Sequence, residues 1–137
     1  MAKQRKAWMF DTAKPAKSEL PGTLKNEVDT KAGELIDGIL KPRHVQPPPE
    51  GSQFNYIADI KAKWIGSTCY FISISACPGP NAIAPTFEEK FARMEYVGDA
   101  KFTLSFMRHT GKWVALFMDI SVDECLKAIH DDPWFMP

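Results

Sequence analysis

The stretch from Lys101 to Ile120, KFTLSFMRHTGKWVALFMDI, contains two runs of alternating apolar residues on either side of Thr110-Gly111. Alternation with a period of two, interrupted by a short glycine-containing turn, is typical of an antiparallel β-hairpin. The residues predicted to share one face of each strand are Phe102, Leu104 and Phe106 in the first run, and Val114, Leu116, Met118 and Ile120 in the second. A hairpin of this length restricts the chain to folds that contain an antiparallel sheet.

Three further strands are predicted upstream of this hairpin. Residues 54–65 and 68–77 flank the two-residue turn Gly66-Ser67, and residues 87–97 lead to a second turn. The residues expected to share a face are Phe54, Tyr56, Ala58, Ile60, Ala62 and Trp64 in the first strand, and Tyr70, Ile72, Ile74 and Ala76 in the second. Because most of the connections are short, the five strands are expected to form an antiparallel meander without parallel crossovers.

A helix is predicted on each side of the strands. Thr23 is a candidate N-cap for the first helix, which Pro42 is expected to end. Ser121 and Glu124 have the spacing of a capping box at the start of the second helix, which Pro133 is expected to end. The predicted buried stripes are Leu24, Val28, Ala32, Leu35, Ile36 and Ile39 in the first helix, and Val122, Cys125, Leu126 and Ile129 in the second.

The order α-β-β-β-β-β-α predicts an α+β fold with two layers. In this fold, one face of the five-stranded meander is covered by a long N-terminal helix and a short C-terminal helix. The outline is similar to cystatin and NTF2-type folds, an analogy at the level of the fold alone. Residues 1–22 are predicted to form an irregular basic arm, and residues 23–137 a single α+β domain.

Charge and composition argue against several functional classes. The chain of 137 residues has 17 Lys and Arg and 17 Asp and Glu, a balance that makes a dedicated nucleic-acid binder unlikely. No apolar run reaches the length of a membrane span and no secretory signal is recognised, so we expect no membrane association and a cytoplasmic protein. Neither the three cysteines nor the histidines have a metal-ligand spacing, and no cofactor motif occurs, so no metal and no cofactor is expected.

Two apolar triplets near the chain ends point to contacts with a partner. They are Trp8-Met9-Phe10 in the basic arm and Trp134-Phe135-Met136 after the last helix. Exposed apolar groups of this kind favour a homodimer or docking onto another protein. The alternative is that both triplets seal the core of their own chain.

The turn of the 101–120 hairpin collects the side chains with the most binding chemistry. Arg108, His109 and Lys112 donate hydrogen bonds and Trp113 offers a flat stacking surface, so together they could hold a phosphate, a carboxylate or an unpaired base. The simpler alternative is a polar turn in which Arg108 pairs with Asp59 or Glu95.

Cys77 is a candidate reactive thiol, with His109 as the base that would activate it. This hypothesis requires the two side chains to be close in space, which their sequence spacing does not establish. A lone cysteine at a strand end is more often a small packed residue than a nucleophile, so the structural interpretation of Cys77 is favoured.

Four segments, FNYIADIKAKW, CPGPNA, FARMEYV and MRHTGKW, extend over most of the chain. Through them the sequence resembles small bacterial proteins known only as conserved hypothetical families. The resemblance implies no function and no catalytic residues.

The sequence thus favours a small binding or interaction protein without its own catalysis. It would recognise a protein partner or a small anionic ligand through its sheet face and the 108–113 turn. One alternative is a thiol-dependent enzyme that uses Cys77 with His109. A second alternative is a weak nucleic-acid binder that acts through the basic N-terminal arm.

Overall fold

A computed structural model describes residues 19–45, 55–79 and 85–137. Its elements are α1 (Gly22–Leu35), a π-helical turn (Ile36–Leu40), α2 (Lys41–His44), β1 (Tyr56–Ile65), β2 (Thr68–Ala76), β3 (Thr86–Gly98), β4 (Lys101–Met107), β5 (Trp113–Ile120) and α3 (Val122–Asp131). The five strands form one antiparallel sheet in the order β1-β2-β3-β4-β5. The predicted α+β class and the α-β-β-β-β-β-α order are therefore confirmed.

The helices lie against one face of the sheet, which we call the inner face. Trp64 of β1 donates from Nε1 to Asp29 Oδ1 of α1 at 2.6 Å. Lys31 of α1 donates to Asp123 Oδ1 of α3 at 2.7 Å, which fixes the two helices side by side. The opposite face, which we call the outer face, has no described helix over it. Among the described residues, no helix is long and apolar enough to cross a membrane.

The hydrophobic core lies between the inner face and the helices. The predicted inner face of β4 is confirmed, because Phe102, Leu104 and Phe106 are all buried. The stripe predicted for α3 is confirmed as well. The other large buried residues of this core include Val28, Leu40, Ile60, Phe71, Phe91, Met94, Ile129 and Phe135.

The first helix begins and ends differently from the prediction. Its N-cap is Pro21, with no side-chain hydrogen bond, so the prediction that Thr23 caps the helix is wrong. Pro42 does not end the helix, which continues to His44. Pro42 lies at the second position of α2, directly after the π-helical turn, inside one continuous helical segment.

The π-helical turn keeps the apolar stripe of the first helix on one face. The buried residues are spaced by exactly four, at Leu24, Val28, Ala32, Ile36 and Leu40. Four residues of α-helix turn through roughly 400°, so such a stripe drifts by about 40° at each step. A π turn is wider, because its hydrogen bonds join residues five apart, as Lys41 N–H is joined to the Ile36 carbonyl. Four residues of such a turn rotate through less than a full circle, which offsets the drift and returns the buried residues to one face.

Two bulges change the predicted alternation at the edges of the sheet. In β1, Ile57 pairs with Ser75 and Asp59 pairs with Ile74, so Ala58 has no partner. The predicted face is therefore wrong at Tyr56 and Ala58, and Ile57 packs on the core instead. Phe54, the first member of that predicted face, lies outside the described residues.

In β5, Leu104 pairs with Phe117 and Phe102 pairs with Ile120, which leaves one extra residue between the two pairs. Asp119 has a φ of 54°, in the left-handed region. Met118 is turned outward and is 68% exposed, so its predicted place beside Val114, Leu116 and Ile120 is wrong.

The capping box of α3 is present as predicted. Glu124 N–H donates to Ser121 Oγ at 3.2 Å, and Ser121 N–H donates to Glu124 Oε1 at 3.0 Å. Both bonds satisfy N–H groups that a helix start leaves without an internal partner.

The C-terminal triplet divides between core and surface. Phe135 is buried and meets Phe106 edge to face, with ring centroids 6.3 Å apart. Trp134 lies 5.0 Å from the same Phe106 ring but is 57% exposed, and Met136 is 60% exposed. Phe135 therefore follows the alternative in which the triplet seals the core of its own chain. The prediction of a homodimer stays a prediction, and the first triplet lies outside the described residues.

Candidate functional site

The turn between β4 and β5 is a three-residue loop, His109-Thr110-Gly111. Gly111 N–H donates to the Arg108 carbonyl at 2.8 Å, and Arg108 N–H donates to the Lys112 carbonyl at 2.9 Å. Gly111 has a φ of 84°, which a residue with a Cβ rarely adopts. This is a tight hairpin turn with glycine in the left-handed position, so the predicted hairpin has the local geometry that its sequence suggested.

The four predicted site residues do not form a single site. Arg108 and His109 are exposed and line two pockets beside the C-terminal segment, with volumes of about 390 and 470 Å³. Lys112 is exposed in the turn, and Trp113 is half-buried on the outer face of the sheet. The hairpin therefore places Arg108 and His109 beside the C-terminal segment and Trp113 on the outer face of the sheet.

Arg108 does not pair with either of the predicted carboxylates. Asp59 Oδ1 lies 3.1 Å from Lys41 Nζ, and that hydrogen bond holds the pKa of Asp59 below its usual value. Glu95 lies beside Arg93, at 3.4 Å from its Nε. The predicted pairing is wrong because cross-strand register and helix packing bring other cations closer to both acids.

Trp113 belongs to a cluster on the outer face that we call the Arg93 cluster. It consists of Tyr70, Lys90, Arg93, Ser105 and Trp113. The sheet register assembles the cluster, because Arg93 of β3 pairs with Tyr70 of β2 on one side and with Ser105 of β4 on the other. Side chains directly opposite each other on antiparallel strands share a face and touch.

Two cations lie against aromatic rings in the Arg93 cluster. The Arg93 guanidinium carbon is 4.6 Å from the centre of the Trp113 ring, and Lys90 Nζ is 5.3 Å from the centre of the Tyr70 ring. The two rings are 5.9 Å apart. Cation–π contacts of this kind hold the arginine plane in a defined orientation.

Two polar atoms in the cluster are buried without a hydrogen bond among the described residues. They are Arg93 Nε and Ser105 Oγ. Glu95 Oε1 is a close charge neighbour of Arg93, but at 3.4 Å it lies away from the N–H direction and makes no hydrogen bond to it. Since leaving such atoms unpaired costs roughly 1–3 kcal/mol each, an acceptor oxygen that reached either of them would be held favourably.

The outer face around the cluster has more cations than anions. Lys61, Lys63, Lys90 and Arg93 project from β1 and β3, together with the acidic Glu88 and Glu95. Lys61 donates to Glu88 at 2.9 Å and lowers the pKa of that carboxyl. Lys63 and Lys90 make no ion pair with any described residue, so they leave a local positive charge on a chain whose net charge is zero.

The structure does not bring Cys77 and His109 together. Cys77 N–H donates to the Pro85 carbonyl at 2.8 Å, which places it level with the start of β3. His109 lines a pocket with Glu89 and Lys90, which lie four to five residues after Pro85 in the sequence. At about 3.3 Å per residue of strand, this places His109 roughly 13–17 Å from Cys77. Cys77 follows β2 and His109 lies in the turn after β4, and these two strands are not neighbours in the sheet.

The other two cysteines are buried in the core. Burial raises the pKa of the Cys69 thiol and of the Cys125 thiol to about 12 in each case. Among the described residues, no three His, Cys, Asp or Glu side chains are grouped so that they could hold a metal ion.

Most of the Arg93 cluster was not among the predicted site residues. The alternation of each strand places Tyr70, Arg93 and Ser105 opposite the core residues, which is a signal available in the sequence. Their meeting depends on the register between β2, β3 and β4, which includes a bulge between Phe71 and Ile72. No pattern within one strand determines that register.

Comparison with known proteins gives a family without a function. The DUF3024 family, described as a domain of unknown function, matches residues 19–137. No curated protein and no solved structure matches the chain. The match begins at Glu19, shortly before α1, and includes every described helix and strand. The chain therefore belongs to the DUF3024 family, as the resemblance to families of unknown function suggested.

Proposed function

We propose that this protein is a binding protein that recognises a carboxylate- or phosphate-bearing ligand on the outer face of its sheet, at the Arg93 cluster. The observation that carries the proposal is a pair of buried polar atoms, Arg93 Nε and Ser105 Oγ, that make no hydrogen bond among the described residues and lie within a cationic and aromatic cluster. An anionic oxygen can accept hydrogen bonds from both of these groups, a guanidinium N–H and a hydroxyl.

Arg93 suits this role because its geometry is already set. The ring of Trp113 supports one face of the guanidinium, so little side-chain entropy would be lost when a ligand binds. Its side chain as a whole is 24% exposed, although Nε itself is buried. A planar guanidinium can donate two parallel hydrogen bonds to a carboxylate or a phosphate.

A groove next to the cluster provides space for the rest of the ligand. The pocket of about 470 Å³ is lined by Lys90 of the cluster, together with Met107, Arg108, His109 and Met136. Its lining mixes apolar and cationic side chains with the acidic Glu89, so it suits a ligand whose anionic group binds at the cluster and whose larger body lies in the groove. Arg108 and His109 thus keep a part in the proposal, as walls of the groove.

Isothermal titration of the full chain with inorganic phosphate, citrate and a polyglutamate peptide tests the proposal. We expect at least one probe to bind, and Arg93→Met to weaken that binding by about tenfold to a hundredfold, the effect of losing one or two charge-assisted hydrogen bonds. The affinity of the Arg93→Lys variant should fall between those of the unsubstituted protein and the Arg93→Met variant, because lysine keeps the charge and lacks the planar guanidinium.

Lys101→Met is the matched control, since Lys101 is an exposed cation at the far end of β4. It should bind as the unsubstituted protein does. Circular dichroism should confirm that each variant is folded. Binding of none of the probes, or equal binding by the Arg93→Met variant, contradicts the proposal.

A further inference from the structure

The edge of the sheet opposite β1 carries a groove between β5 and α3, with a volume of about 470 Å³. Its floor is apolar and its rim is acidic, although Lys127 also lies on the rim. The residues that define this character are Phe117, Ile120 and Ala128 on the floor, and Glu124, Asp131 and Asp132 on the rim. Phe117 is 37% exposed, so apolar surface here remains open to solvent.

We propose that this groove binds the segment Arg5–Phe10 of the same chain. The segment, RKAWMF, joins two cations to a tryptophan, a methionine and a phenylalanine. The cations would lie at the acidic rim, and the apolar side chains would cover the floor. Residues 1–18 lie outside the described residues, so the proposal takes from them only their sequence and their number.

Charge complementarity supports this choice of occupant. Residues 1–10 carry Lys3, Arg5 and Lys6 and no acidic residue. The groove has three carboxylates and one lysine on its rim. Asp131 is paired with Lys127, at 3.8 Å, and with His130, whereas Glu124 and Asp132 make no ion pair with a described residue. Opposite charges at the border of an apolar contact favour one orientation and suppress others, which makes the arm a better occupant than an acidic or neutral segment.

The chain between the segment and α1 is long enough to reach the groove. Ten residues, from Asp11 to Leu20, connect Phe10 to the start of the helical region, and they extend to at most roughly 33–36 Å. The path runs about 14 Å along α1 to Lys31, which contacts Asp123 of α3, and then about 10 Å across α3. The sum of roughly 24 Å is well within reach.

The geometry of β5 disfavours a second copy as the occupant. A partner strand could add to the open edge of β5 only if the strand were regular. Two register irregularities and the left-handed Asp119 interrupt it. Bulges of this kind are a common protection of sheet edges against pairing between chains.

Photo-cross-linking of the full chain tests the proposal. Trp8 is replaced by the photoreactive residue p-benzoylphenylalanine, the protein is irradiated at low micromolar concentration, and the products are mapped by mass spectrometry. We expect cross-links within one chain to the peptides that contain Phe117 or Ala128. Ala128→Arg, which fills the groove, and Asp131→Lys, which reverses a rim charge, should each lower the yield by about threefold or more.

Asn26→Arg is the matched control, because it adds a cation at an exposed position of α1 away from the groove. The cross-link yield of the Asn26→Arg variant should equal that of the protein with an unsubstituted groove. Circular dichroism should show that all variants are folded. Cross-links between two chains, detected by mixing isotopically light and heavy protein, would overturn the intramolecular assignment. Cross-links elsewhere, no cross-links, or yields that neither groove variant changes would overturn the proposal itself.

Discussion

The two faces of the sheet differ in what their residues do. On the inner face, Phe71, Met94 and Leu104 have no exposed surface and belong to the hydrophobic core. On the outer face, Arg93 and Trp113 are partly exposed and hold a positive charge against a ring. Both faces arise from the same strands, since alternate residues of a strand point to opposite sides. Stability therefore resides mainly on the inner face, and the chemistry available for binding resides on the outer face.

The largest expected effect is on thiol reactivity at the inner face. Because burial raises the pKa of Cys69 and Cys125 from 9.0 to about 12, their thiolate fraction at pH 8 is about a thousandfold below that of an ordinary thiol. A disulfide reagent should label the half-exposed Cys77 first and the other two far more slowly. In denaturant all three should react at once. Equal rates for three thiols in the native protein would contradict the inner-face assignment.

A pair of neighbouring aromatic residues on β2 compares the faces directly. Phe71→Ala should lower the free energy of unfolding by about 3–5 kcal/mol, because Phe71 is fully buried against Phe91. Tyr70→Ala, one residue earlier on the outer face, should cost about 1 kcal/mol, since Tyr70 is only half-buried. Urea denaturation measures both. If the Tyr70 variant lost as much stability as the Phe71 variant, the division between the faces would be wrong.

Removing a hydroxyl group near the N-terminus of α3 should lower the free energy of unfolding more than removing one near the N-terminus of α1. Ser121→Ala removes the acceptor for Glu124 N–H and should lower the free energy of unfolding by about 1 kcal/mol. Thr23→Ala is the matched substitution in α1 and should cost little, because no side chain caps that helix. Thermal or urea unfolding of the two variants decides the point, and a larger loss for Thr23→Ala would reverse it.

The smallest expected effect is pH-dependent and concerns the tie between β1 and α2. Hydrogen bonds from Lys41 and then from Ile60 N–H keep the pKa of Asp59 below 3.8 in the folded protein. The pair therefore stabilises the fold above that pH, and the contribution is lost as pH falls through the folded pKa. Asp59→Asn should cost less than about 1 kcal/mol at pH 7, since the pair is exposed. In strong acid the deficit should vanish, and a deficit that persisted there would exclude this cause.

The sequence was sufficient for the fold because its signals are local. The capping box at Ser121 and the alternation of Phe102, Leu104 and Phe106 each depend on a few adjacent residues, and both are present in the structure. The misplaced faces around Ala58 and Met118 arise from bulges. Such bulges depend on how a strand pairs with its neighbour, which the sequence of one strand does not reveal.

The candidate site was only partly predictable for a related reason. Trp113 was identified by its chemistry, and its outer-face position follows from alternation with Val114. Its partner Arg93 is 20 residues away in sequence and reaches it through the register of β3 with β4. Arg108 and His109, which are four to five residues from Trp113 in the sequence, instead line the pockets beside the C-terminal segment. Sequence proximity in a turn is thus a poor guide to which side chains meet.

Nitrogen-15 NMR of the Arg93 side chain during a titration with inorganic phosphate tests the central claim most directly. The account predicts that the Arg93 Nε–H resonance shifts progressively and that the Trp113 indole resonance shifts with it. The methyl resonances of Leu104, on the inner face of the neighbouring strand, should stay unchanged. A titration that left Arg93 unaffected, or that moved the Leu104 resonances as much, would contradict the assignment of binding to the outer face.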